Sequence, residues 1–199
     1  MQAKDMPQLP SLDVQGLRHF RKRLETTKCY LEYGSGGSTI IAANTYSVPV
    51  IISVDSDKEW VDRVTAAIPS SEDTKVFVEY CDIGPVREWG NPINLDCVEH
   101  FWRYSFRPWE TAGTGLFEPD LILIDGRFRV CAFLVTLLYS LEGAVIMFDD
   151  YFDRPHYFIA EQFCQLHARH GRMAEFVNTK KYSHVEICKV IARYATVYH

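Results

Sequence analysis

The sequence predicts an α/β protein whose sheet is mostly parallel and covered by helices on both faces. Three observations lead there. Short apolar runs alternate with helix-like segments along most of the chain. Several runs are apolar nearly throughout, as strands buried on both sides must be; residues 48–54 read Val-Pro-Val-Ile-Ile-Ser-Val. Finally, the runs end in the same way, the first in a glycine-rich turn and the later ones in an aspartate.

The elements follow in order. Residues 1–12 read as a loose leader. Apolar side chains at Leu12, Val14, Leu17, Phe20 and Leu24 have helical spacing. Residues 30–33 form the first strand and end in Gly34-Ser35-Gly36-Gly37, and residues 39–43 suit a helix. Gly34 allows a tight turn, and Gly36 lets a ligand approach the backbone with no Cβ in the way. Residues 48–54 form the second strand, with Pro49 near its start, where a missing N–H is tolerated, and Asp55 at its end. Residues 57–68 are helix-like, with Ser56 or Asp57 as N-cap.

Residues 76–80 form the third strand, closed by Asp82. The rhythm then breaks at 84–118, an aromatic-rich insertion holding Trp89, Trp102 and Trp109 with Phe101, Tyr104 and Phe106. So long a segment in a compact domain suits a substrate lid or an interface, including one between two copies in a homodimer. Residues 121–124 and 144–148 are the fourth and fifth strands, closed by Asp125-Gly126 and Asp149-Asp150. Between them, 130–141 is apolar on most sides, hence a buried helix. Residues 156–167 read as helical. Residues 173–177 and 185–194 read as two β-like runs with no helix between them, so one is expected to run antiparallel to the rest.

Composition narrows the function. A chain of 199 residues, 47% hydrophobic and 24% charged, fits one globular domain spanning 1–199. Its net charge of −5, with a single tight basic cluster at 18–28 that reads as a solvated helix face, argues against nucleic acid. Residues 1–10 carry no apolar targeting core, and 130–141 is about half the length of a membrane span. A cytoplasmic protein with no membrane partner is expected. The six cysteines form no C-x-x-C pair, so they read as reduced, mostly buried residues rather than zinc ligands.

Ligands of an open parallel sheet bind beyond the carboxyl ends of its strands. Glu32, Asp55, Asp82, Asp125 and the Asp149-Asp150 pair all fall at that edge. One aspartate there can merely cap a helix; so many together point to a site. Asp55 follows Gly34 by 21 residues, a separation that suits a carboxylate on ribose hydroxyls in a Rossmann-like site. A dinucleotide turn wants a third glycine where Thr39 stands, which disfavours NAD.

Glu32-Tyr33-Gly34-Ser35-Gly36 resembles the first motif of the class I S-adenosylmethionine-dependent methyltransferases. Asp55 is similar to that family's ribose-binding acid, and Cys81-Asp82-Ile83 to its adenine-contacting segment. The likeness runs over about residues 12–194. It implies a three-layer Rossmann-like fold, with a seven-stranded sheet whose last strand is antiparallel. It also implies S-adenosylmethionine held by Glu32, Gly34, Ser35, Gly36, Asp55, Ser56, Asp82 and Ile83, and methyl transfer to a small-molecule acceptor, most simply at oxygen. Asp125 and Asp149-Asp150 further resemble the acids that hold Mg²⁺ in metal-dependent O-methyltransferases. Arg127 and Arg129 depart from that pattern, being cations able to pair with those acids. Asp125, Asp150 and His156 are the candidates for removing the acceptor's proton. Arg127, Arg129 and Arg154 are open to two roles, holding an anionic or sugar-like substrate or neutralising acids. Two other functions remain: a methyltransferase-like module that binds a nucleoside or a protein without catalysis, and an NAD-dependent oxidoreductase.

Overall fold

The computed structural model describes residues 10–198. The leader expected at 1–12 therefore lies mostly outside the described residues. Seven strands form one sheet: β1 (Cys29–Tyr33), β2 (Val50–Asp55), β3 (Lys75–Tyr80), β4 (Leu121–Ile124), β5 (Val145–Phe148), β6 (Leu166–His170) and β7 (Met173–Val177). Their order is β3-β2-β1-β4-β5-β7-β6. The first five run parallel, and β7 is antiparallel to both its neighbours. All five residues of β1 and all four of β4 are buried, as central strands under two helical layers require.

The helices are α1 (Val14–Leu24), α2 (Gly37–Asn44), α3 (Lys58–Ala66), α4 (Trp102–Gly115), α5 (Arg129–Tyr139) and α6 (His184–Tyr194). Leu31 and Tyr33 face one core with Tyr104 and Trp109 of α4, Phe133 of α5 and Ile187 of α6. Tyr30, one residue along, faces the other core with Phe20 of α1 and Ile41 of α2. That switch of face at successive residues is the period-two alternation of a strand between two apolar layers. Among the described residues no helix is long and apolar enough to cross a membrane.

Three segments differ from the sequence expectation. Within 84–118, residues 102–115 are helix α4, the crossover between β3 and β4. Pro108, Gly113 and Gly115 hid it, because none suits a helix interior. What remains outside regular crossover structure is a shorter excursion, which begins with a two-stranded ribbon (Val86–Arg87 with Asn91–Pro92). Residues 185–194 lie in α6 rather than a strand. Their β-branched content misled, yet Ile187, Val190, Ile191 and Tyr194 keep helical spacing. Ser183 with Glu186 three residues on is a helix-start signature, and the Glu186 N–H lies 3.4 Å from Ser183 Oγ. Residues 156–167 split into a 3₁₀ segment (Pro155–Gln162) and the start of β6. The hairpin partner of β7 is thus β6, across a two-residue turn that opens on Gly171 at φ +66°.

Candidate active site

The sheet order reverses between β1 and β4, and the turns leaving these strands meet there. Gly34 has φ +93°, and a Cβ on it would lie 2.8 Å from the Gly126 backbone. A Cβ on Gly126 would lie 2.1 Å from the Tyr104 hydroxyl. Both positions need glycine because two backbones and a phenol share one space. A Cβ at Gly36, by contrast, would meet only Trp60, at 3.8 Å, since that residue faces open cavity.

Glu32 sits behind this turn, fully buried. It accepts hydrogen bonds from Ser38 Oγ and from Thr39 Oγ1 (2.6 Å). Thr39 Oγ1 in turn accepts from the Gly36 N–H at 2.9 Å. Thr39, the residue that disfavours a dinucleotide, therefore links the turn to Glu32. Burial pushes the Glu32 carboxyl up to about 8, against the hydrogen bonds from Ser38 and Thr39 and with the help of Asp125 nearby.

A cavity of about 560 Å³ opens beyond the turn. Gly34, Ser35, Gly36, Asp55, Asp57, Trp60, Trp89, Tyr104, Asp125 and Arg127 line it, with Pro10 and Ser11 from the chain's start. This size suits a cofactor-sized ligand. Asp55 reaches the cavity from the end of β2. Burial raises its carboxyl to about 6, although the Asp57 and Ser56 backbone N–H groups hold it down. Asp57 caps α3 by accepting from the Trp60 N–H at 3.1 Å, and the Trp60 indole N–H donates to Ser35 O at 2.7 Å. One helix start thus supplies both an acid and an aromatic wall. The Ser35 hydroxyl oxygen is buried with no hydrogen-bond partner among the described residues.

Asp125, at the end of β4, also lines the cavity. Burial pushes its carboxyl up to about 7; Arg129 opposes the rise, and Asp149 and Asp150 add to it. Asp125, Asp149 and Asp150 bring ligand atoms within 4.8 Å of one another, a spacing that could hold a metal ion. Their oxygens, however, are already engaged. Arg172 holds both oxygens of Asp149 (2.7 to 3.2 Å) and Oδ1 of Asp150 at 3.0 Å. Arg129 and Arg154 each lie 3.1 Å from Asp150 Oδ2, and Arg129 lies 3.0 Å from Asp125 Oδ1. Of the six oxygens of these three acids, only Asp125 Oδ2 has no guanidinium of the described residues against it. Mg²⁺ needs carboxylate oxygens free to replace part of its water shell, so these residues do not fit it.

The cavity thus gathers Gly34, Ser35, Gly36, Asp55 and Asp125 from the sequence-derived candidates, and leaves others outside its lining. Glu32 supports the turn from behind. Ser56 is buried and donates to Gly90 O at 2.9 Å, tying the 84–101 excursion to the end of β2. Asp82 is exposed and accepts from the Gly84 N–H at 2.9 Å, while Ile83 is packed in the core. Asp149 and Asp150 belong to the arginine cluster. His156 is exposed on the 3₁₀ segment, its ring against Tyr157.

Trp60 lines the cavity without having been a candidate, and Tyr104 was one only as an aromatic of the 84–118 segment. The readable signal for Trp60 was its place in the first turn of the helix that follows Asp55. For Tyr104 the signal was the aromatic content of that segment; its place on a helix did not show.

No family model matches the sequence, and no curated protein matches it. Among solved structures, a methyltransferase-like protein from Silicibacter pomeroyi is 31% identical, covering 96% of this chain and 99% of that one, with a TM-score of 0.84. The chain belongs to the methyltransferase-like family. A protein named as an O-methyltransferase from Klebsiella pneumoniae shares the fold at 19% identity, with 86% of this chain and 84% of that one covered and a TM-score of 0.51. The sheet order and the placing of the glycine turn at the β1/β4 switch are those expected of a class I methyltransferase. In this methyltransferase-like chain the acids after β4 and β5 carry arginine partners of their own.

Proposed function

We propose that this chain binds S-adenosylmethionine in the cavity beyond β1 and transfers its methyl group to an oxygen of a small-molecule acceptor. The observation that carries the reading is the meeting of the Gly34–Gly36 turn, Asp55 and Asp125 on one cavity at the switch point of the sheet. Bound there, the cofactor would supply a methyl group already activated on a sulfonium.

The chain's own residues do the rest. Asp55 offers two carboxylate oxygens to ribose hydroxyls. Gly36 leaves the backbone open to the ligand, and the Ser35 hydroxyl has an unmet hydrogen bond to offer. Trp60 and Trp89 supply flat apolar walls. Asp125 is the base: its Oδ2 is free of arginine, and its carboxyl is raised into the neutral range, where it can take up the hydroxyl proton of the acceptor. Arg129 fixes Asp125 from behind. We propose that this step needs no Mg²⁺, because the acids that would hold the ion are neutralised by Arg129, Arg154 and Arg172.

Calorimetry with S-adenosylmethionine and S-adenosylhomocysteine tests the reading. Binding of both, with turnover on at least one hydroxylated acceptor, supports it. Binding without turnover across a broad acceptor panel favours a non-catalytic nucleoside-binding module, and binding of neither sinks the proposal.

A further inference from the structure

The four arginines near this strand edge do not share one role. Arg129, Arg154 and Arg172 each pair with an aspartate. Arg127 pairs with none: among the described residues no carboxylate lies within ion-pair distance of it. Its Nη1 donates to Asn91 Oδ1 at 3.1 Å, and its Nε is buried with no hydrogen-bond partner among the described residues. None of the described residues accepts from its Nε–Nη2 edge. That edge is the planar fork that grips an oxyanion through two parallel hydrogen bonds. A donor withdrawn from water and left unmet calls for an explanation, and a ligand in the cavity that Arg127 lines supplies one.

We propose that Arg127 is an anion subsite for the methyl acceptor, which carries a carboxylate or phosphate group beside the hydroxyl that Asp125 deprotonates. This rests on the methyl-transfer reading. The cofactor also carries a carboxylate, but donors for it stand elsewhere. Ser35 Oγ is unmet, and the first residues of α2, Gly37 and Ser38, face the same cavity at the glycine turn. Arg127 stands two residues beyond Asp125 and is tethered through Asn91 to the excursion whose Trp89 and Gly90 also line the cavity. Its backbone N–H points to the Tyr104 hydroxyl, 3.4 Å away, so the main chain is fixed and the guanidinium is held ready.

The test is a fluorescence titration, since Trp60 and Trp89 line the cavity. Benzoate, inorganic phosphate and the neutral analogue benzamide are added to protein saturated with S-adenosylhomocysteine. Benzoate or phosphate is expected to bind at least roughly tenfold more tightly than benzamide. Arg127→Gln, checked for folding by circular dichroism, should lose that preference, and Arg127→Lys should regain part of it. The proposal is overturned if neither anion outbinds benzamide, or if Arg127→Gln binds the anions as the wild type does. It is also overturned if S-adenosylhomocysteine competes with the anion, since Arg127 would then hold the cofactor's carboxylate. Failure of S-adenosylhomocysteine itself to bind defeats the methyl-transfer reading, and the same titration on the free protein then shows whether Arg127 takes anions at all.

Discussion

Arg129→Gln should be among the most damaging single changes near the cavity that leaves the backbone conformation open to it. The Arg129 side chain is only 5% exposed. It donates to the carbonyls of Gly126 (3.0 Å), Asp149 (2.8 Å) and Asp125 (3.0 Å), and pairs with the carboxylates of Asp125 and Asp150. Glutamine is shorter, uncharged and has one amide group to set against five acceptors. Removing one partner of a buried ion pair costs about 3–5 kcal/mol, because the other charge is left uncompensated. For a chain of this size each kcal/mol lowers Tm by about 2–4 °C, so the expected fall is roughly 6–20 °C. Burial already holds the Asp125 carboxyl up near about 7, with Arg129 pulling it down. Without Arg129 it rises further. A carboxyl whose folded-state pKa exceeds its unfolded value costs stability as pH climbs between the two. The extra cost in the variant therefore appears above about pH 7, and the Tm gap from wild type should be wider at pH 9 than at pH 6. Differential scanning calorimetry across that range reads both. A Tm within about 2 °C of wild type at pH 8, or a gap that does not widen with pH, refutes the reasoning.

Other outcomes follow from the same geometry. Asp55→Ala should weaken S-adenosylhomocysteine binding roughly 10–100-fold by calorimetry, the worth of hydrogen bonds to a charged group. Asp125→Asn should lower kcat by about 10²–10⁴-fold, and wild-type kcat/KM should rise with pH through about 7, since the base works only when deprotonated. EDTA should leave turnover unchanged; a loss restored by added Mg²⁺ would show that the arginines yield their acids to the ion. Gly34→Ala should lower Tm by roughly 5 °C or more, given a positive φ and a 2.8 Å clash with the Gly126 backbone.

The parts of the site legible in the sequence are those set by backbone geometry. Gly34 had to be glycine for its turn, and Asp55 and Asp125 had to lie at one edge because parallel strands end there. The buried strands showed as apolar runs for the same reason. What escaped depends on partners distant in the chain. Arg127 and Arg129 raised the question of pairing, but Arg172, from the β6–β7 turn, closes the cluster 23 residues from Asp149, and no local pattern announces it. Glu32 is expected from the resemblance to order the glycine turn, but its hydrogen bonds to the hydroxyls of Ser38 and Thr39 do not show in the local pattern. Helix α4 was hidden by Pro108, and with it Tyr104. Helix α6 was readable from Ser183 and Glu186, but its valines and isoleucines outweighed them.

The most direct measurement is a crystal structure of the protein grown with S-adenosylhomocysteine. The ribose hydroxyls are expected on Asp55, the amino-acid end over the Gly34–Gly36 turn, and the sulfur facing Asp125 across open space for an acceptor. A ligand bound elsewhere, or one whose ribose leaves Asp55 untouched, would contradict this arrangement.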